Sequence, residues 1–260
     1  MKAKSRRTLL AANGDGQFRA RQVVANGLRF LVIDEGQGPA VLLLHGFPDT
    51  SHLWRHQIPV LVAAGYRALA PDLGGRGETE IPTRVEDYAL RLMVQDVAAL
   101  LDALGIERAH VVGHDWGAAL AWLIASLLPQ RVDHLVVISV GHPATRSRPT
   151  LEQLQKSWYQ FLFQFEGTAE ELLQQDDWYL LKELAQGAGD QELYLAELSR
   201  PGALTAALNW YRANLPSQRL LAPPPALPKV QAPTLGIWSS GDRYSTEGGQ
   251  GVAVGSHASG

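Results

Sequence analysis

The chain has 260 residues, of which 46% are hydrophobic and 19% are charged, so it can bury one sizeable core but hardly two ordinary domains. Its 23 Lys and Arg residues against 26 Asp and Glu give a net charge of -3, which excludes the basic face that nucleic acid or an anionic membrane requires. The absence of cysteine excludes disulfides, zinc–thiolate sites, iron–sulfur clusters and thiol nucleophiles.

No targeting or membrane segment is recognisable in the sequence. The basic residues 1–7 are followed by too few apolar residues for a secretory signal. The longest uncharged stretch, residues 116–130, is shorter than the ~18 apolar residues that a membrane span needs. The sequence therefore predicts a soluble, cytoplasmic protein.

Short apolar runs alternate with helical patterns along the first half of the chain. Residues 19–25 and 28–35 flank Asn26-Gly27, which predicts an antiparallel hairpin at the start of the sheet. Residues 85–104 have the apolar spacing of a helix. Further buried strands are predicted at 40–45, 67–72, 110–114, 134–140 and 233–239. The alternation predicts an α/β fold with a mostly parallel sheet.

Strand patterns are missing between about residues 150 and 221. Helices are predicted to begin at Thr150, at Thr168 with Glu171 in a capping box, and at Asp190. The chain is therefore divided into a core at 1–145, a helical cap inserted at 146–226, and a return strand with an irregular tail at 227–260.

The most informative motif is Gly113-His114-Asp115-Trp116-Gly117, which joins an apolar strand to an apolar helix. Glycines on either side of a central residue permit the sharp, strained turn of a nucleophile elbow, and the central residue here is Asp115. A second strand ends in His45-Gly46-Phe47-Pro48. In the fold that uses such elbows, the backbone N–H groups of Phe47 and Trp116 would form the oxyanion hole.

With residues 71–77, these motifs resemble the α/β-hydrolase fold and, within it, the epoxide hydrolases. The resemblance covers about residues 22–244. It includes two segments similar to the tyrosine-bearing segments of that family's cap, around Tyr159 in 157–164 and around Tyr211 in 208–212.

The resemblance implies a role for each matching residue. Asp115 would open the epoxide as a nucleophile and form an alkyl ester. Tyr159 and Tyr211 would hydrogen-bond and protonate the epoxide oxygen. Asp242 would orient the histidine that activates water for ester hydrolysis. The substrates would be a largely apolar epoxide, bound between cap and core, and water, with no cofactor.

The histidine is where the sequence departs from the family pattern. His257 is the only histidine after Asp242 and follows it by 15 residues, too few for a crossover and a further strand before a catalytic loop. The final strand, the final helix and the histidine loop are therefore expected to be missing, and either His257 acts as the base or no such base is present. An exposed sheet edge at 233–239 is then expected, through which two copies could form a homodimer.

Two alternatives and two exclusions accompany this interpretation. A haloalkane-type dehalogenase would also use Asp115 as the nucleophile, and a catalytically inactive remnant or binding protein would explain the departure at the C-terminal end. The spacing of His52 and His56 lacks the rest of a metal-ligand set, so no metal is expected. No phosphate-loop motif is present, so no nucleotide cofactor is expected.

Overall fold

The computed structural model describes residues 7–10, 17–145, 149–186, 190–220 and 222–246. Within these ranges, eight strands form one sheet: β1 Arg7–Leu10, β2 Gln17–Ala25, β3 Leu28–Glu35, β4 Ala40–Leu44, β5 Arg67–Pro71, β6 Ala109–His114, β7 Val132–Ile138 and β8 Thr234–Ile237. The α-helices of the same ranges are α1 Gln57–Ala63, α2 Leu90–Ala103, α3 Trp116–Leu127, α4 Leu151–Lys156, α5 Trp158–Leu162, α6 Thr168–Leu184, α7 Gln191–Leu198 and α8 Ala203–Asn214. α6 is interrupted at residues 175–178, whose backbone angles are not helical.

The strands lie in the order β1-β2-β3-β5-β4-β6-β7-β8. Pairing is antiparallel from β1 to β5 through β2 and β3, and parallel across the remaining strands. The central strand β4 is buried along its whole length, as its continuous apolar sequence requires. The predicted mostly parallel α/β fold is confirmed, and β1 is a strand that the sequence patterns did not predict.

The hairpin at the start of the sheet follows from two residues. Asn26 and Gly27 have φ angles of 48° and 80°, the left-handed conformations that a two-residue turn between β2 and β3 requires. Asparagine tolerates this region and glycine adopts it without steric cost. The predicted hairpin is confirmed.

The single helix predicted over 85–104 is wrong, because the segment breaks at Ala89. A short 3-10 turn covers Val85–Tyr88, Ala89 is extended at φ -63° and ψ 129°, and α2 begins at Leu90. The Leu90 N–H donates to the side-chain oxygen of Asn214 on α8, at 2.8 Å. A tertiary hydrogen bond replaces the helical one here, and periodicity along the sequence gives no sign of it.

The capping box predicted between Thr168 and Glu171 is wrong by one residue. The residue that precedes α6 is Gly167, whose N–H donates to the Glu170 carboxylate at 2.9 Å. Gly167 has a φ of 75°, which favours glycine over threonine at this point.

Helices α4 to α8 lie between β7 and β8 and are called the helical insertion below. Thr150 caps α4 by accepting the Gln153 N–H at 3.1 Å, and Asp190 precedes α7, so both of these predicted helix starts are confirmed. The boundaries of the three-part division remain a prediction. In the described ranges, no helix has the length and apolar character needed to cross a bilayer.

β8 is the last strand of the sheet in the part of the chain that is described. Two of its apolar side chains, Leu235 and Ile237, are 56% and 45% exposed. A strand with unpaired backbone groups and exposed apolar side chains is a template for pairing with another chain. The prediction that a final strand and helix are missing concerns residues that lie mostly outside the described ranges, and it remains a prediction.

We expect concentration-dependent self-association through this edge. The substitution Leu235→Lys should weaken it, because a lysine charge opposes edge-to-edge pairing. Sedimentation velocity over a range of protein concentrations measures the effect, with Val60→Lys on α1 as the control, since Val60 is also exposed (68%) but lies away from the edge. A wild-type protein that stays monomeric at high concentration would contradict the prediction.

Candidate active site

The site is built around the turn that joins β6 to α3. Asp115 has φ 52° and ψ -122°, a region that L-residues rarely adopt, and α3 begins at the next residue. A Cβ on Gly113 would overlap the backbone of Gly117, and a Cβ on Gly117 would overlap the carbonyl oxygen of Leu44 at the end of β4. Both glycines are therefore required for the turn to pack against β4, as expected for a nucleophile elbow.

Backbone N–H groups hold the Asp115 carboxylate in place. The Phe47 N–H donates to Asp115 Oδ1 at 2.8 Å, and the Trp116 N–H is also hydrogen-bonded to the carboxylate. Gly46 lies so close that a Cβ on it would overlap the same carboxylate. The motif His45-Gly46-Phe47-Pro48 and the elbow thus meet at one carboxyl group, and the two predicted oxyanion-hole donors lie beside it.

The surroundings of Asp115 act on its pKa in both directions. Burial raises the pKa above the ordinary value of 3.8, and the charge of Asp242 adds a smaller rise. His114 and the hydrogen bonds from Phe47 and Trp116 stabilise the carboxylate and so oppose the rise. Loss of water contacts makes a carboxylate a stronger nucleophile, while the N–H donors keep it ionised and oriented.

Tyr159 on α5 and Tyr211 on α8 are brought together opposite this carboxylate. Their ring centroids lie 5.9 Å apart at 79°, and Tyr211 also packs edge-on against Trp116 and Phe47 at 5.1 and 5.5 Å. Burial raises the pKa of both phenols well above 10, and the charge of Asp115 raises both further. Both hydroxyls therefore keep their protons at neutral pH and remain donors.

These groups open onto a cavity of about 710 Å³, a volume that would hold a drug-sized ligand. Asp115, Phe47, Trp116, both tyrosines and Asp242 all line it. One part of its wall comes from the end of α6 and from Tyr194 on α7, and another from the start of α2 and the end of α8. Most of the exposed wall is apolar, so the cavity suits a largely apolar ligand with one polar group at Asp115.

Asp242 lies in the loop after β8, at the wall of the same cavity. Its Oδ1 accepts the N–H groups of Tyr244 and Ser245, at 2.7 and 2.9 Å, so the carboxylate closes its own turn. Among the described residues, no histidine is hydrogen-bonded to this carboxylate. His257 lies outside the described residues, and its predicted role remains a prediction.

The cavity residues that were not assigned to the site from the sequence include Asp49, His114, Tyr194 and Tyr244. Asp49 is 5% exposed and accepts the Tyr194 hydroxyl at 2.9 Å, and burial raises its pKa. His114 has a buried Nδ1 that lacks a hydrogen-bond partner among the described residues. Asp49 directly follows the motif that ends at Pro48, and His114 lies within the elbow motif; these positions were the only signal available for them.

His45 is a structural residue and not a base. Its Nε2 accepts the Leu73 N–H at 3.0 Å, so the proton is on Nδ1, which donates to the Gly46 carbonyl at 3.1 Å. Burial lowers the pKa of His45 to about 3, so the ring is neutral. It fixes the turn that carries the Phe47 N–H.

The sequence profile of the alpha/beta hydrolase fold matches residues 39–251, more than half of the chain. The chain therefore belongs to the α/β hydrolase fold family. It is 36% identical over 236 residues to the AB hydrolase superfamily protein YfhM of Bacillus subtilis, covering 85% of this chain and 81% of that protein.

Similarity extends to proteins named as epoxide hydrolases. The chain is 36% identical over 240 residues to human Epoxide hydrolase 4. This match covers 84% of the present chain but only 64% of the length of the human protein. Among solved structures, an epoxide hydrolase from metagenomes of hot environments matches with a TM-score of 0.78 at 30% identity, covering 88% of this chain and 85% of that one. An epoxide hydrolase from Vigna radiata matches with a TM-score of 0.71 at 32% identity, covering 86% and 79%.

Proposed function

We propose that this protein hydrolyses epoxides to vicinal diols through a covalent ester on Asp115. One observation carries the proposal: a carboxylate on a nucleophile elbow and two protonated tyrosines share one cavity. The relatives named as epoxide hydrolases support the same reaction. In this proposal the core ends at about residue 145 and the helical insertion, within 146–226, acts as a cap that supplies both tyrosines.

In the first step, an Asp115 carboxylate oxygen bonds to an epoxide carbon while the bond from that carbon to the ring oxygen breaks. The ring oxygen takes a proton from Tyr159 or Tyr211, and the other phenol hydrogen-bonds to it. A neutral phenol suits this role because it donates to the oxygen from the start and gives up its proton only as negative charge develops. No cofactor is needed.

In the second step, water adds to the ester carbonyl carbon and gives a proton to a base. The negative charge on the carbonyl oxygen lies beside the N–H groups of Phe47 and Trp116. Collapse of this intermediate breaks the bond between the carbonyl carbon and the alkyl oxygen, which takes the proton of the added hydroxyl; this releases the diol and restores the Asp115 carboxylate. The proton held by the base returns to the tyrosinate. In the family pattern the base is a histidine oriented by Asp242.

The substrate proposed here is an apolar epoxide, and the protein is proposed to act in solution in the cytoplasm. Phe47 and the paired tyrosines distinguish this proposal from a dehalogenase, because the departing halide of a haloalkane needs no proton. Mixing the protein with a haloalkane in place of the epoxide therefore tests the dehalogenase alternative directly.

We expect styrene oxide to add one substrate mass to the protein at Asp115 and diol release to be slow. Formation of the adduct requires Asp115 on its elbow and the two tyrosines. Release of the diol requires a base, and among the described residues no histidine is hydrogen-bonded to Asp242. Intact-protein and peptide mass spectrometry measure the adduct, and chromatography measures the diol. Asp115→Asn is the control and should abolish the adduct.

Each outcome of that experiment is informative. Many turnovers per protein would show that His257 or another base reaches the ester, and would contradict the expected slow release. A folded protein that forms no adduct would contradict the proposed function and favour the inactive remnant or binding protein.

We expect Tyr159→Phe and Tyr211→Phe each to slow adduct formation about 100-fold, because each removes one donor to the epoxide oxygen and leaves the ring in place. The rate is measured in single-turnover experiments with excess styrene oxide. Tyr179→Phe is the matched control, since Tyr179 also lies in the helical insertion but is 60% exposed. A rate unchanged in both variants would rule out the role given to the phenols.

The rate of adduct formation should fall at low pH with a midpoint above 3.8. Burial raises the pKa of Asp115, so the reactive carboxylate is lost at a higher pH than for a free aspartate. On the alkaline side the rate should hold to about pH 9, because both tyrosines have pKa values raised above 10. Single-turnover rates across pH, with circular dichroism to confirm folding, test this. A midpoint at or below 3.8 would contradict it.

A further inference from the structure

A buried ion pair outside the cavity joins α8, which carries Tyr211, to α6. Arg212 on α8 forms two hydrogen bonds with the Glu170 carboxylate on α6, at 2.7 and 2.8 Å. The two side chains are only 7% and 14% exposed. Neither residue is among the described residues that line the cavity, so the pair makes no direct contact with a ligand there.

The same arginine also bonds to the segment that follows α5. Its Nε donates to the Phe163 carbonyl at 2.9 Å, and the Phe163 N–H in turn donates to the Tyr159 carbonyl at 2.9 Å. Arg212 directly follows Tyr211 in the sequence. One guanidinium therefore connects the backbone of α8 beside Tyr211 with the backbone one turn beyond Tyr159.

The rings confirm that this connection reaches the site. Phe163 packs against Tyr159 at 5.5 Å and against Tyr211 at 4.9 Å, so it fills the space between the two helices. A shift of Phe163 relative to Arg212 would change the separation of the two tyrosines. The two hydroxyls need a set separation because both must reach a single epoxide oxygen.

Arginine is required here by the number and direction of its hydrogen bonds. The planar guanidinium serves both Glu170 oxygens, the Phe163 carbonyl and the Asn209 side-chain oxygen, at 2.7 to 3.1 Å. A lysine ammonium has no such fork and cannot satisfy these acceptors in the same geometry. Burial tends to raise the pKa of Glu170, but the hydrogen bonds to its carboxylate, above all from Arg212, together with the charge of Arg212, lower the pKa overall.

We propose that Arg212, held by Glu170, is a positioning residue that sets the relative placement of Tyr159 and Tyr211 for epoxide opening. This inference rests on the proposed function. It assigns Arg212 an effect on the rate of the bond-making step, not on ligand binding, because Arg212 lies outside the cavity wall.

The test compares Arg212→Lys with Arg131→Lys in single-turnover reactions with styrene oxide at several concentrations. Arg131 is a matched control: its side chain is also largely buried (16% exposed) and also combines an ion pair, with Asp102 at 2.8 Å, with bonds to backbone carbonyls, at 2.7 and 2.8 Å, but it lies just before β7 and outside the cavity wall. We expect Arg212→Lys to lower the maximal rate of Asp115 adduct formation about 10- to 100-fold, with the half-saturating concentration changed less than about twofold. Arg131→Lys should stay within about twofold in both quantities.

A double-mutant comparison separates positioning from general destabilisation. When Tyr211 is already phenylalanine, the two hydroxyls no longer need to converge, so adding Arg212→Lys should slow the reaction by less than about twofold more. An equal loss in both backgrounds would mean that Arg212 only supports the fold, and would overturn the inference.

Further outcomes remain distinguishable. If Arg212→Lys does not fold by circular dichroism, Glu170→Gln replaces it, since glutamine keeps the shape but loses one acceptor and the charge. A wild-type protein that forms no adduct overturns the proposed function, whereas a reactive wild type whose Arg212→Lys or Glu170→Gln variant reacts at the full rate overturns only the positioning role.

Discussion

The positive φ of Asp115 is the constraint on which the rest of the site depends. A residue other than glycine in this region costs about 1–3 kcal/mol. The cost is offset by packing: α3 buries Leu120 and Ile124 completely, and each such side chain contributes about 1.5–3 kcal/mol. β6 is also paired on both sides, which fixes where the turn begins. The core therefore holds the strained turn, and the turn directs the carboxylate out of the core and into the cavity.

The same burial acts in opposite ways on the two kinds of acid in the site. It raises the pKa of Asp115, which disfavours the ionised form that a nucleophile needs, and it raises the pKa of both tyrosines, which favours the protonated form that a donor needs. The two backbone N–H groups and His114 counteract the effect on Asp115 alone. These groups oppose the rise in the pKa of Asp115, whereas burial dominates at both phenols, so one apolar cavity can hold a carboxylate beside two neutral phenols.

The sequence predicted the parts of this site that depend on local backbone geometry. Gly113, Gly117 and Gly46 could be recognised because a Cβ at each would overlap neighbouring atoms. The hairpin at Asn26-Gly27 could be predicted because its turn requires positive φ angles, which asparagine and glycine adopt most easily. The break at Ala89 could not be predicted from the sequence, because Asn214, which accepts the Leu90 N–H, is 124 residues away along the chain. The bonds that join Arg212, Glu170 and Phe163 likewise exist only after three helices have packed. The tyrosines could therefore be predicted from sequence motifs, but the hydrogen bonds that position them could not.

Because Asp115 belongs to the core and Tyr159 and Tyr211 belong to the helical insertion, the three groups stay together only if the two parts keep a fixed relation. The structure fixes it with polar bonds at low exposure. Trp210 donates to the Gly74 carbonyl at 3.1 Å, and Tyr194 donates to Asp49 at 2.9 Å. Asn214 bonds to both Tyr88 and Leu90. Buried polar groups are costly when they lose their partners, so any displacement of the insertion would leave several unsatisfied at once. Apolar packing alone would tolerate sliding, and these directional bonds hold the tyrosines in register with Asp115.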